Sequence, residues 1–147
     1  HLQSNKVRDV IGRVSNIQSI DRTSIIEAVD AECLKRNTTV DVMIEVNTSG
    51  EASKHGTPFS EVQRVIDEVL MRPTMRITGF MTIGALSEDE VVVRRCFRQL
   101  RILRDSFDAQ HGTTSQLSMG MSEDLEWAIA EGSTMVRVGT AAFGDRQ

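Results

Sequence analysis

The apolar positions along this chain change their period in a regular order. From Leu2 to Val14 they recur at Val7, Val10, Ile11 and Val14, the spacing of a helix with one buried face. Asn16 to Asp21 (NIQSID) then reads as a short strand. Arg22 to Arg36 returns to helical spacing, with Ile25, Ile26, Val29 and Cys33 inward. Val40 to Asn47 (VDVMIEVN) is rich in β-branched residues and predicts a buried strand. Thr48 to Gly56 is polar and reads as a loop. Pro58 suits the first turn of a further helix, which carries Val62, Val65, Ile66 and Val69 to about Met71. Arg76 to Ile83 (RITGFMTI) is another strand, and Glu88 to about Gln110 a long helix with Val93, Phe97, Leu100, Leu103 and Phe107 inside.

The last stretch carries the most information. Leu117-Ser118-Met119 is a strand end, and Ser122 is placed to cap a helix whose first turn holds the acids Glu123 and Asp124. Leu125, Ala128 and Ile129 share one face, and Gly132 stands where the helix needs a residue able to take positive φ. Met135 to Val138 predicts a final strand, running into Gly139-Thr140 and a short helix in Ala141 to Gly144. Strands and helices alternate throughout, which predicts an α/β fold with a parallel sheet and crossover helices. Five strands are expected, and no linker or internal repeat divides residues 1–147, so the chain reads as a single domain.

Composition narrows the function classes. With 147 residues, 39% of them hydrophobic and 26% charged, the chain reads as a soluble globular domain with a real core. Its net charge of −4 does not favour nucleic acid or an anionic membrane, and no apolar run is long enough to span a bilayer. The arginines 94, 95, 98, 101 and 104 share one helix with apolar residues and no interleaved aromatics beyond Phe97, so they read as a solvated helix face. Cys33 and Cys96 lack metal-like spacing and read as reduced core thiols, which suits a cytoplasmic setting. His1, His55 and His111 are scattered and predict no metal site. The sequence begins at His1 rather than methionine, so targeting cannot be read at this end and a mitochondrial address stays open.

Two groups carry candidate chemistry. Ser118 with Gly120, and Gly139 with Thr140, place small residues at neighbouring strand ends, where backbone N–H groups and hydroxyls can surround a phosphate. From spacing alone, ordinary turn chemistry is the simpler account of the same residues. Arg137 lies between Val136 and Val138 in the last predicted strand, on the same face as Met135 and Gly139. It either meets a ligand beside that glycine or pairs with a carboxylate.

The segment SMGMSEDLEWAIAEGSTMVRVGTAAFG closely resembles the C-terminal signature of the pyridoxal-phosphate homeostasis family. The likeness extends to His1-Leu2-Gln3-Ser4-Asn5-Lys6, to Ser19-Ile20-Asp21-Arg22, to Val46-Asn47-Thr48-Ser49-Gly50-Glu51 with Ser53-Lys54-His55-Gly56, and to Gly79-Phe80-Met81-Thr82-Ile83. The resemblance implies a (β/α)8 barrel of the alanine racemase N-terminal kind, which needs eight strands and roughly 250 residues. By that measure the chain is an incomplete, C-terminal portion lacking about three βα units. It implies pyridoxal 5'-phosphate (PLP) as cofactor, with Ser118, Gly139 and Thr140 at the phosphate, Arg137 at the pyridine nitrogen, and Met81 against the ring or merely packed. The resemblance also implies a Schiff-base lysine on the family's first strand, upstream of His1; the lysines present here, Lys6, Lys35 and Lys54, read as lying in a helix, at a helix end and in a loop. Lys54 reads as a solvated loop residue or a local cation near the pocket.

An arginine facing the pyridine nitrogen can only donate, so PLP would be a poor electron sink. The expectation is a carrier of PLP, monomeric at full length, that buffers or delivers the cofactor to acceptors the sequence does not identify. The rival is a PLP-dependent amino-acid racemase, whose tyrosine base this chain, with no tyrosine, cannot supply.

Overall fold

The computed structural model describes residues 1–144, leaving aside the side chains of Thr140 and Ala141. Five strands and six helices alternate. In chain order they are α1 (Val7–Val10), β1 (Asn16–Ile20), α2 (Thr23–Arg36), β2 (Val40–Asn47), β3 (Thr57–Pro58), α3 (Val62–Leu70), β4 (Met75–Met81), α4 (Glu90–His111), β5 (Gln116–Ser118), α5 (Leu125–Ala130) and α6 (Thr140–Phe143). The main path of the sheet runs β1-β2-β4-β5, with β3 beside the end of β2, and every pairing is parallel. The parallel sheet is the one the α/β pattern predicts, and its arrangement is that of part of a barrel wall, as the resemblance implies.

Alternation along β2 explains the two faces of the sheet. Val40, Val42, Ile44 and Val46 join one buried apolar cluster with Ile25, Ile26 and Val29 of α2 and Val62, Val65, Ile66 and Val69 of α3. Asp41, Met43, Glu45 and Asn47 point the other way. That inner face is strongly curved. Gln18 on β1 accepts a hydrogen bond from the Ser118 hydroxyl on β5 at 2.8 Å, although two strands lie between them. Three strand spacings in a flat sheet come to about 14 Å. A glutamine, a serine and one hydrogen bond reach roughly 10 Å together. Asn16 reaches Thr78 of β4 across β2 in the same way, at 3.0 Å. The sheet therefore bends around its inner face as a barrel wall does.

Local chemistry sets several boundaries. The Asp89 side chain caps α4 by accepting from the Val91 N–H at 2.8 Å, and Gly112 closes the helix with φ +65°. Asn37 ends α2 in the left-handed region at φ +52°. A side chain on Gly79 would meet the Gln116 carbonyl at 2.3 Å, so β4 and β5 approach as closely as they do only because that residue is glycine.

Five expectations are corrected. The helix expected from Leu2 to Val14 shrinks to one 3-10 turn and α1, because Gly12 takes φ +85° and Ile11 bridges to Val14. Pro58 does not open a helix at once but pairs with Asn47 in β3, and α3 starts at Val62. The strand expected over Met135 to Val138 is reduced to a single parallel bridge between Met135 and Ser118. Ser122 is not the cap of α5: the helix begins three residues later, and the Asp124 carboxylate accepts from the Met121 N–H at 2.6 Å. In α5, Ile129 faces solvent and Trp127 packs on the core instead.

The arginine-rich face of α4 is also not simply solvated. Arg94, Arg98 and Arg101 converge on Glu131, which is 1% exposed, at 2.9, 3.0 and 3.4 Å. They tie the end of α5 to α4. Cys33 and Cys96 are buried free thiols. No helix among the described residues is long and apolar enough to cross a membrane.

Candidate functional site

The carboxyl ends of the strands surround an open cavity of about 1010 Å³. Lys54 reaches it from the loop after β2, Ile83 to Glu88 from the loop after β4, and Met121 to Asp124 with Trp127 from the segment after β5. Arg137 and Gly139 complete its wall. Parallel α/β sheets bind their ligands at this end.

Arg137 is the best-defined group there. Its backbone N–H donates to the Gly120 carbonyl at 2.9 Å, which holds the segment after Met135 against the end of β5. Gly120 has φ +96°, and a Cβ on it would lie 2.5 Å from the Ala128 methyl, so this close approach demands glycine. From that position the guanidinium donates from Nη1 to the Ser118 hydroxyl oxygen at 2.8 Å and from Nη2 to the Thr82 carbonyl at 2.9 Å. Both acceptors are themselves fixed. The Ser118 hydroxyl donates onward to Gln18 at 2.8 Å. The Thr82 hydroxyl donates to the Val46 carbonyl at 2.7 Å and meets Thr48 at 2.9 Å. Burial pushes the Arg137 pKa below the usual arginine range, while the charges of Asp124 and Glu45 push it back up. A guanidinium carries five N–H donors, so the clamp leaves others for a ligand in the cavity.

The other expected residues separate into groups. Ser118 is fully buried, and its hydroxyl is committed to Arg137 and Gln18. It supports the arginine rather than facing the cavity, and the serine of the same motif that does line the cavity is Ser122. Alternation gives the reason: Ser118 ends β5 on the inner face, whereas Ser122 lies in the loop beyond it. Gly139 lines the cavity with nothing within 4 Å of where a Cβ would stand, so a ligand can approach its backbone. Thr140 opens α6, and its side chain lies outside the described residues. Met81 is 7% exposed in β4, in register with Glu45 and Ser118, below the cavity lining that begins at Ile83.

Lys54 is the single lysine on the cavity wall, and its ammonium is occupied. It donates to the Gly84 carbonyl and pairs with Glu51 at 3.1 Å. Lys6 and Lys35 are exposed elsewhere.

These residues fit PLP in the chemistry of their donors. The ring nitrogen is an acceptor, and Arg137 is a fixed donor. The phosphate is an anion, and the wall beside it carries the Ser122 hydroxyl and the open backbone at Gly139. Gln18, Thr82 and Ser122 were not singled out from sequence. Gln18 and Thr82 act through hydrogen bonds 55 or more residues apart in the chain, which local spacing does not register. Ser122 had a signal, being the second serine of the motif, but it read as a helix cap.

Known proteins bear on the same geometry. The family described as alanine racemase, N-terminal domain, matches residues 3–147. The pyridoxal phosphate homeostasis protein of Aquifex aeolicus is 40% identical over 147 residues, covering 99% of this chain and 64% of its own length. A solved protein of Bifidobacterium adolescentis, described as unknown, superposes with a TM-score of 0.92 at 43% identity, covering 97% of this chain and 58% of its own. PipY of Synechococcus elongatus, solved with PLP bound, gives a TM-score of 0.86 at 27% identity over 98% of this chain and 68% of its own. The chain spans about three-fifths of the length of the curated relatives it matches.

Proposed function

The chain belongs to the family of alanine racemase N-terminal domains, and from that premise we propose that it binds pyridoxal 5'-phosphate at the carboxyl ends of its sheet and serves to hold and deliver it. The observation that carries this reading is the clamped Arg137 in the cavity wall. Two support it from outside: the name of the Aquifex aeolicus relative and the PLP bound by PipY.

PLP supplies an electron sink to amino-acid chemistry when its ring nitrogen carries a proton. Arg137 works against that state. It stays protonated and can only donate, so a ring nitrogen facing it remains an acceptor. Ser118, Gln18 and Thr82 hold the guanidinium in one orientation, and none of them can deliver a proton to replace it. Ser122 and Gly139 contribute hydroxyl and backbone to the anionic end of the ligand. We read the chain as a binding protein without committed catalysis, a single domain acting in the cytoplasm with PLP as its ligand and PLP-requiring proteins as its recipients. Its one tryptophan gives a direct assay, since Trp127 lines the cavity. Titration with PLP should quench Trp127 fluorescence saturably, and Arg137→Gln should weaken binding roughly 10- to 100-fold, the loss of a charged hydrogen bond. Equal affinity in the variant overturns the assignment of Arg137. Racemisation of an amino acid by the PLP-loaded protein overturns the non-catalytic reading.

A further inference from the structure

The inner face of the sheet holds a deeply buried charged group that the proposed cofactor site does not use. Glu45 of β2 is 3% exposed, and its Oε2 is buried without a hydrogen-bond partner among the described residues. An unpaired carboxylate in such a place is costly unless something positive meets it. Asp21 stands beside it because Ile20 and Ile44 are in register, so the residue after β1 comes level with Glu45. One oxygen of Asp21 accepts from Arg22 at 2.6 Å, and the other faces the His1 Nδ1 at 3.5 Å. The His1 ring is stacked on His55, with centroids 3.9 Å apart, which holds its orientation. One ligand atom from each of His1, Asp21 and Glu45 lies within 4.8 Å of the other two.

We propose that His1, Asp21 and Glu45 form a binding site for a first-row divalent cation, with Zn2+ and Mn2+ as the ions that suit it. One imidazole nitrogen and two carboxylates are a mixed donor set that favours these ions over Ca2+ and Mg2+, which prefer oxygen alone. Ligands held at about 2.0–2.2 Å from a common ion lie roughly 3 to 3.5 Å from one another. Closing from the observed spacing therefore needs side-chain adjustment and no movement of the strands. The site is already preformed by parallel pairing on one side and ring stacking on the other.

The sequence offered no sign of this cluster, because His1, Asp21 and Glu45 share no short spacing and meet only through the pairing of β1 and β2. The test is calorimetric titration of the metal-stripped chain, free of any histidine tag, with ZnCl2, MnCl2 and MgCl2 in turn. The expected result is one saturable event for Zn2+ and Mn2+ and none for Mg2+. Glu45→Gln and Asp21→Asn, each checked for folding by circular dichroism, should weaken Zn2+ by more than about 100-fold, the upper end of what loss of an outer-shell partner costs. His111→Ala should change nothing, since that residue lies on α4 against Phe107. Absence of Zn2+ binding at millimolar concentration overturns the proposal. So does binding that survives both carboxylate substitutions.

Discussion

The two faces of this sheet are held by different physics. The outer face is a continuous aliphatic layer, in which Val42, Ile44 and Phe80 are sealed beneath α2, α3 and α4. The inner face is a ladder of polar groups in which Asn16, Gln18, Thr78, Thr82, Ser118 and Arg137 meet across strands. Apolar burial is non-directional and scales with area, so the outer face fixes that the sheet forms and how strongly. Hydrogen bonds are directional and contribute little net stability, so the inner face fixes where particular atoms stand. The difference predicts that outer substitutions lower stability and spare binding, while inner ones beside Arg137 lower binding.

The largest break should come from Phe80→Ala. Phe80 is fully buried and meets Phe107 edge-on at 5.3 Å. Its truncation should cost about 3–5 kcal/mol in urea unfolding. The fraction that remains folded should bind PLP with unchanged affinity. Loss of affinity per folded molecule would show that the two faces are not separable.

Ser118→Ala should have the next largest effect, and of the opposite kind. It leaves Arg137 without one acceptor and Gln18 without its donor. The unmet groups should cost about 1–3 kcal/mol of stability. The guanidinium should also lose its fixed orientation and PLP affinity should fall about 10-fold. Ser118→Thr keeps the hydroxyl and should recover much of the affinity; equal weakness in both variants would mean that Ser118 matters only for packing.

Much of the outer face was legible in the sequence and little of the inner one. Val40 to Asn47 was read with its full extent, because β-branched alternation is a local signal. Its neighbours α2 and α4 were read to within two residues. Met135 to Val138 carried the same kind of signal, yet only Met135 bridges; beyond it a single backbone bond, from Arg137 to Gly120, holds the segment where Arg137 and Gly139 line the cavity. Arg137 was recognised as chemical, and its surroundings were not. The motif shows both Ser118 and Ser122, and only the end of β5 decides that Ser122, not Ser118, lines the cavity. Glu45 looked like one more residue in a buried strand. Its isolation is a property of three segments meeting, and no single segment shows it.

Glu131 belongs to neither face and marks an intermediate case. Burial acts to raise its pKa, but hydrogen bonds from Arg98 and Arg94 outweigh that and hold it below the ordinary 4.5. A carboxylate depressed in the folded state stabilises above its unfolded value, and the contribution disappears as pH falls through the folded one. Glu131→Gln should therefore lower Tm by about 2–4 °C at neutral pH, a modest figure because the guanidinium groups are partly in water. The gap between variant and parent should close as pH drops below 4.5. A gap independent of pH would assign the effect to shape rather than charge.

The smallest effect should fall on the inner face itself, at the opposite end from the cavity. Asp41 and Arg76 form a two-pronged pair there, at 2.9 and 2.8 Å, joining β2 to β4. By geometry it is as good a contact as the Arg137 clamp. Its guanidinium, however, is 76% exposed, so water competes for both partners and salt screens them. Asp41→Asn should leave Tm and PLP affinity unchanged within error, and added salt should not alter that. If it lowers either one, polar pairing along the whole inner face contributes alike. If it does not, burial at the carboxyl ends of the strands is what turns a hydrogen bond into a fixed position, and the clamp at Arg137 works because the sheet curls over it.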